Sequence, residues 1–331
     1  MALMLSSAIE AYLKMVQHSR SENTHLTYRK ALEHFSSVVQ SHHLDPENLP
    51  VKDLSEDMVT WSIQSLKFHA PSTERLYLTA ITGFFEYLSA NNSTTINLQK
   101  IRLLIKQRAR KPGIRLPQFP KDAIATVLDS IESFPISEEI ELNEKLRLLR
   151  DKAFLLTLGE TGLRVHEACN LIRGDMDWNE GRAQVIGKGN REAVVRFSRR
   201  AQNALKEYLQ LRAELDHQAG KNMGALPIFA RHDKGAGKKI KPMTTTTGRN
   251  IVAEWVEKIL GKDAVGSITP HSFRHYFVTR VLQSSGNLKL AQDLARHKNI
   301  AVTQRYAHLA DNELDKGYWD VFEADSHEKP G

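Results

Sequence analysis

Apolar residues recur at helical spacing through the first hundred positions. Ile9, Tyr12, Leu13 and Val16 mark one stripe, because residues three and four apart share a helix face. A second helix is expected from Asn23-Thr24 through Tyr28, Leu32 and Phe35. A third follows Ser55 as N-cap, with Met58, Val59 and Ile63 on one side. A fourth begins after A-P-S-T-E-R at 70–75 and carries Phe84, Phe85 and Leu88. A short fifth holds Leu98, Ile101, Leu104 and Ile105. No strand signal interrupts them, so residues 6–106 read as a small all-helical domain.

From residue 121 the pattern becomes mixed. A helix is expected over 123–133, an acidic stretch over 138–144 and a long apolar helix over 151–159, with another helix over 164–172. Short strands follow at 175–178, 182–186 and 192–197, and Gly187, Gly189 and Asn190 supply turn chemistry between the last two. Helices are expected again at 200–216, 247–260, 272–284, 288–296 and 300–309. The Gly- and Lys-rich segment 217–243 reads as a long surface loop around one short strand, P-I-F-A. The expected fold class is multidomain, an all-α domain followed by a mainly α domain with a small antiparallel β-sheet. The expected divisions are 1–107, a linker at 108–120, and 121–325.

Charge adds a partner to this picture. The 331 residues carry a net charge of +7 and a pI near 9.3, which favours a polyanion, nucleic acid or an anionic membrane surface. No apolar run approaches the roughly 20 residues of a membrane span, and the N-terminus lacks the basic region of a secretory signal. One cysteine, Cys169, excludes an internal disulfide and a cysteine-rich zinc site. The expected location is the reducing cytosol. Between 100 and 121, Lys100, Arg102, Lys106, Arg108, Arg110, Lys111, Arg115 and Lys121 occur without an acidic residue, and Pro112, Gly113, Pro117 and Pro120 break any helix. This basic linker is either a solvated hinge or, the favoured reading, a track along a DNA backbone.

Candidate chemistry is scattered over the second half. T-G-L-R-V-H-E at 161–167, H-S-F-R-H at 271–275 and L-A-R-H-K-N-I-A-V-T-Q-R-Y at 294–306 contain Arg164, His271, Arg274, His297 and Tyr306; G-K-G-N-R at 187–191 contains Lys188. Cleaving a phosphodiester requires cations on its nonbridging oxygens, an in-line nucleophile and an acid for the leaving oxygen. Arginine forks pair bidentately with phosphate. Lysine has the reach and the movable pKa of a leaving-group acid. A phenol, with a pKa near 10, needs a base or an electropositive site to attack. Each residue alone has a structural reading as well: Arg164 as a salt bridge, Lys188 as an exposed turn residue, Tyr306 as an aromatic anchor. His275 reads as a core or capping histidine and receives no chemistry.

Taken together, the order Arg, Lys, His-x-x-Arg, His, Tyr resembles the tyrosine recombinase (phage integrase) family, its Xer-like and transposon-type bacterial members most of all. R-D-K-A-F-L-L-T-L-G-E-T-G-L-R-V-H-E-A-C-N-L at 150–171 looks like the first arginine box, G-K-G-N-R-E-A-V-V at 187–195 like the lysine hairpin, and L-A-R-H-K-N-I-A-V-T-Q-R-Y-A-H at 294–308 like the histidine–tyrosine box. T-H-L-T-Y-R-K-A-L-E-H-F at 24–35 resembles part of the SAM-like core-binding domain. Two departures stand out: His166 precedes Glu167 where a small residue is usual, and Ala295-Arg296 replaces the glycine before the histidine.

The resemblance implies that Arg164, Arg274 and His297 bind the scissile phosphate. It makes Tyr306 the nucleophile of a 3′-phosphotyrosyl link, Lys188 the acid for the 5′-hydroxyl and His271 an aid to proton transfer, with Glu167 orienting its neighbours. No cofactor and no metal is called for. The implied partners are double-stranded DNA with inverted-repeat core sites and three further copies of the chain, a tetramer passing through a Holliday junction. Lys106, Arg108, Arg110, Lys111, Arg115 and Arg191 are the expected DNA contacts. Leu314, Tyr318, Val321 and Phe322 share a helical face, which packs on its own domain or, the favoured reading, on a neighbouring protomer. The competing readings are a type IB-like topoisomerase and an inactive architectural DNA-binding protein. The first domain argues against the former, and the intact set argues against the latter.

Overall fold

The computed structural model describes residues 3–110, 121–187, 191–233, 240–304 and 306. The chain divides into two compact units, Met1–Ile114 and Arg115–Gly331. In the first, α1 (Leu5–Ser19), α2 (Glu22–Ser41), α3 (Glu56–Ser65), α4 (Pro71–Ala90) and α5 (Leu98–Arg108) enclose one core of Tyr12, Leu32, Phe35, Ile63, Phe84 and Phe85 among others. These are the stripe residues, so the 3.6-residue period selects the buried face. Ser21 caps α2 through the Thr24 N–H. Ser55 occupies the N-cap position of α3 but its side chain makes no capping bond. Glu56 and Asp57 in the first turn complement the helix end by charge instead.

The basic segment departs from expectation at 108–110. There α5 runs through Arg108, and Arg110 folds back on the fully buried Glu74. Arg110 Nε lies 2.5 Å from Glu74 Oε2 and its backbone N–H donates to Oε1 at 2.9 Å. Its Nη2 donates to the carbonyls of Leu66 and His69 at 3.1 and 2.6 Å. Lys67 Nζ adds a 3.1 Å contact to Oε1. Burial alone would raise the Glu74 carboxyl, but Arg110 and Lys67 outweigh it and hold it below the usual carboxylate range. Arg110 is therefore docked on the helical unit, and its charge is offset there. Lys106 and Arg108 stay exposed; Lys111 and Arg115 lie outside the described residues.

The second unit contains α6 (Lys121–Glu132), α7 (Leu142–Thr161), α8 (Val165–Asn170), β1 (Met176–Asp177), β2 (Arg182–Gly187), β3 (Arg191–Arg196), α9 (Arg199–Leu211), α10 (Ala213–Gln218), α11 (Thr245–Leu260), α12 (Pro270–Ser285), α13 (Leu288–Ala295) and α14 (Ile300–Gln304). The strands form one antiparallel sheet in the order β1-β2-β3. Met176 pairs with Ala183 and Val185 with Ala193, which turns Ala183 and Val185 to the core.

Buried on nearly every side from Leu149 to Thr161, α7 is the axis of this unit. It starts at Leu142, nine positions before the expected 151, because its internal charges are satisfied in place. Arg150 Nη2 lies 2.6 Å from Asp151 Oδ1, and Trp255 Nε1 donates to Oδ2 at 3.2 Å. The expected surface loop at 217–243 is corrected as well: Leu226, Ile228, Phe229 and Ala230 are fully buried. The buried Arg212 donates to the carbonyls of Pro227 and Ile228 at 2.7 and 2.8 Å, while its Nε meets Asp216 at 2.9 Å. P-I-F-A makes isolated bridges, Ile172 to Pro227 and Ala230 to Pro242, rather than joining the sheet.

Replacing Glu74 with Ala leaves Arg110 and Lys67 without their shared acceptor. The full chain is expected to lose about 1–3 kcal/mol in urea unfolding. In a double-mutant cycle with Arg110→Ala the coupling is expected to exceed about 0.5 kcal/mol; strictly additive losses would show that Glu74 does not hold the end of α5.

Candidate active site

The site begins where α7 stops. Gly162 is left-handed, with φ +63, and a Cβ there would sit 2.4 Å from the Phe277 ring on α12. Both the turn and the close approach require glycine. The chain then extends at Arg164, the N-cap residue of α8. Glu167 reaches back from the first turn of α8. Its Oε2 accepts the Arg164 N–H at 2.9 Å and its Oε1 meets Arg164 Nη1 at 2.9 Å. The same carboxylate receives Arg296 Nη2 at 2.9 Å from the end of α13. Burial alone would raise Glu167, but the Arg164 N–H and the two guanidiniums hold it below its usual range.

Arg274 comes from the first turns of α12, which Pro270 opens and Ser272 caps by accepting the Thr269 N–H at 3.0 Å. Its side chain is buried and donates to the carbonyls of Gly162 and Ala295. These oxygens stand at the C-terminal ends of α7 and α13, where carbonyls lack helical partners and the helix dipole is negative. A buried cation is thereby placed between two helix ends. Burial, with Arg164 and Arg296 nearby, lowers Arg274 to about 9, and it remains cationic at neutral pH.

His297 is set by the turn that closes α13. Its N–H donates to the Gln292 carbonyl at 3.0 Å, Gln292 Nε2 returns a bond to its carbonyl at 3.0 Å, and its Nδ1 shares a 2.9 Å hydrogen bond with Thr303 Oγ1. Burial, then Arg274 and Arg164, push His297 down to about 4. His271 is lowered by the same three causes in the same order. Tyr306 is 2% exposed and packs with Val278, Leu282, Ala291 and Ala295 between α12 and α13.

The structure thus gathers Arg164, Glu167, His271, Arg274 and His297 from three chain segments around the end of α7. Tyr306 meets this group through His275. Its hydroxyl is hydrogen-bonded to His275 Nδ1, and the His271 and His275 rings meet edge-on at 4.1 Å. His275 is therefore a site residue that sequence reasoning set aside. Its spacing of four from His271 is one helical turn, and that signal places both rings on one face. Arg296 was marked in the sequence as a departure beside His297, but its partner Glu167 was not legible there; Thr303 was missed, since only the fold brings it to the site. Lys188 lies outside the described residues, as does the Arg191 side chain; the flanking Gly187 and Arg191 pair across β2 and β3. The segment 312–322 is also outside the described residues, as are Lys234, Lys238 and Lys239 of the basic loop.

A helical unit followed by a mainly helical unit that gathers arginines, imidazoles and a phenol is the architecture of a DNA strand-transferring enzyme. Residues 136–313 match the model of the phage integrase family, and residues 9–92 match that of the phage integrase N-terminal SAM-like domain. The chain belongs to the phage integrase family, the tyrosine recombinases. It is 27% identical over 294 residues to the tyrosine recombinase XerC of Thermodesulfovibrio yellowstonii, covering 89% of this chain and 88% of the relative. It is also 27% identical over 322 residues to the XerD of Brucella melitensis, covering 96% and 97%. Among solved structures, XerH in a post-cleavage complex with a palindromic difH substrate aligns with a TM-score of 0.67 at 20% identity, over 95% of this chain and 84% of that one, and so shares the fold.

Gly162→Ala forces a left-handed alanine against Phe277 and displaces a carbonyl that holds Arg274. We expect a loss of about 1–3 kcal/mol and a lower melting temperature; an unchanged melting temperature would show that the turn tolerates a side chain. The depressed histidine gives a second expectation. In the unfolded chain His297 titrates near 6.5, above its folded value of about 4. Its contribution to stability is complete above pH 6.5 and is lost as pH falls through the folded value. His297→Gln should flatten the acid side of the stability curve between these limits, as read by melting temperature against pH.

Proposed function

We propose that this protein is a site-specific recombinase that cuts and rejoins DNA through a 3′-phosphotyrosyl intermediate. The observation that carries the reading is the convergence of Arg164, Arg274 and His297 at the end of α7, with Tyr306 one histidine away. The scissile phosphate lies against these three groups. Arg164 is the accessible clamp, its side chain 40% exposed, while Arg274 supplies a buried charge from behind. The Tyr306 oxygen attacks phosphorus, the P–O5′ bond breaks, and the 3′ end stays on the enzyme. The phenolic proton passes to His275, which already holds the hydroxyl, with His271 beside it as the next acceptor. Lys188 gives its proton to the departing 5′ oxygen. Attack by the 5′-hydroxyl of a partner strand reverses these steps, so the energy of the broken bond is retained.

In this reading the protein acts as a tetramer on two double-stranded sites with inverted-repeat cores and passes through a Holliday junction. Lys106 and Arg108 contribute phosphate contacts from the helical unit, and Arg191 from the hairpin. The segment 312–322 packs on a neighbouring copy. The family's DNA-bound members support the DNA partner, and the net charge of +7 agrees with it.

The test is a nicked suicide duplex carrying the target site. Wild type is expected to form an SDS-stable protein–DNA adduct and Tyr306→Phe none; an adduct in the Phe variant would sink the nucleophile assignment. His275→Ala is expected to slow adduct formation by about 10²-fold or more. A wild-type rate in that variant would return the proton to His271. Recombinant products from paired sites, rather than relaxed plasmid, separate this function from that of a topoisomerase.

A further inference from the structure

Arg296 occupies a backbone position that disfavours it. The residue after α13 is left-handed, with φ 58 and ψ 40, a conformation that costs a side-chain-bearing residue about 1–2 kcal/mol relative to the right-handed one. Glycine is the usual solution at such a helix end. Here an arginine closes the turn, and its side chain is directed inward with 11% exposure rather than into solvent. It ends on Glu167, the carboxylate that also holds Arg164. Its Nε is buried without a hydrogen-bond partner among the described residues. The turn geometry alone accounts for none of this.

The charge count explains what such an arginine does. Without Arg296, two guanidiniums, Arg164 and Arg274, face one carboxylate, Glu167, leaving a net charge of +1. With it, three guanidiniums face the same carboxylate and the net is +2. A phosphodiester carries one negative charge, and attack by a phenolate raises the reacting group to two. Arg296 raises the positive charge facing the phosphate by one, and that charge is felt most strongly as the reacting group gains negative charge on attack. Interactions stronger in the transition state are those that accelerate the step. The division of labour at Glu167 has a second effect. One carboxylate oxygen is shared with Arg296, and Arg164 meets the carboxylate through Nη1 alone among its guanidinium nitrogens, so the remaining edge of Arg164 is available for a phosphate.

We propose that Arg296 is a positioning residue of the cleavage site, which offsets Glu167 so that Arg164 and Arg274 act on the phosphate with undiminished charge. The inference rests on the phosphotyrosyl reading above. It extends that reading by giving a role to a residue outside the implied catalytic set.

Arg296→Gly and Arg296→Lys test it, with single-turnover adduct formation on the nicked duplex, DNA affinity by titration and melting temperature read side by side. The glycine variant relieves the left-handed backbone but removes one guanidinium from the buried Glu167, so its melting temperature is expected to fall while the chain remains folded. Its cleavage rate is expected to fall about tenfold or more with DNA affinity within about threefold, and the lysine variant should recover part of the rate. Loss of the nearby cation should also move the acid limb of the pH–rate profile upward, since Arg296 is among the charges that depress His297. A folded glycine variant that cleaves at the wild-type rate overturns the proposal. So does an equal loss in both variants with an unmoved pH profile, which would mark Arg296 as packing only. If wild type itself forms no adduct, the phosphotyrosyl reading fails first, and the two failures are told apart by that control.

Discussion

One buried carboxylate organises the site. Glu167 has no exposed side-chain surface, and an ionised carboxylate in that position is tenable only if its oxygens are fully engaged. It accepts a backbone N–H and two guanidiniums, one from its own turn and one from a segment 129 residues away in sequence. The local bond makes Arg164 the N-cap residue of α8 and so fixes where its side chain leaves the backbone. The distant bond ties the end of α13 to the start of α8. The position of His297, one residue beyond Arg296, follows from the same contact.

Arg274 completes the frame by a different kind of bond. Among the described residues it takes no carboxylate as a hydrogen-bond acceptor; it takes the carbonyls of Gly162 and Ala295, at two helix ends. Those oxygens need donors in any case, so the arginine and the helix termini satisfy one another. Glu167 acts on Arg274 only through space, without a hydrogen bond among the described residues. A cation hydrogen-bonded only to dipoles retains more attraction for an incoming phosphate than one already in an ion pair. This division suits the two arginines to different tasks, with Arg164 half exposed and paired, and Arg274 buried and unpaired by carboxylate. Gly162 is the joint between them, since its left-handed turn presents the carbonyl that Arg274 needs.

The helical unit was legible because its core residues keep strict period: Tyr12, Leu32, Phe35 and Phe84 are read as a stripe and are buried as one. The hairpin was legible from Gly187, Gly189 and Asn190. Reading failed where a charge proved to be internal. Arg150 and Asp151 hid the first turns of α7, Arg110 was read as a linker cation facing DNA, and Arg212 holds a segment that composition marks as surface loop. A single sequence does not say which charge finds a buried partner 15 or 36 positions away. In the site, the order of Arg164, Lys188, His271, Arg274, His297 and Tyr306 carried the recognition. His275 was within reach of the same reasoning, at one helical turn from His271, whereas the contact of Arg296 was not, because its partner Glu167 is distant in sequence.

The electrostatics of the site also respond to an arriving phosphate. Burial, with the field of Arg274 and Arg164, shifts both His271 and His297 toward the neutral form. Tyr306 is enclosed and hydrogen-bonded to a third imidazole. Under the proposed function, an arriving phosphodiester brings negative charge to the arginines that depress these histidines. Its field opposes theirs, so the proton affinity of His271 and His297 rises as the phosphate binds. Imidazoles that are neutral in the free protein then become better donors to the phosphate oxygens, and the site gains charge complementarity as it is occupied. The nucleophile is served separately, since the Tyr306 hydroxyl is hydrogen-bonded to His275. The cations act on the phosphate and the histidine acts on the nucleophile, and neither task weakens the other.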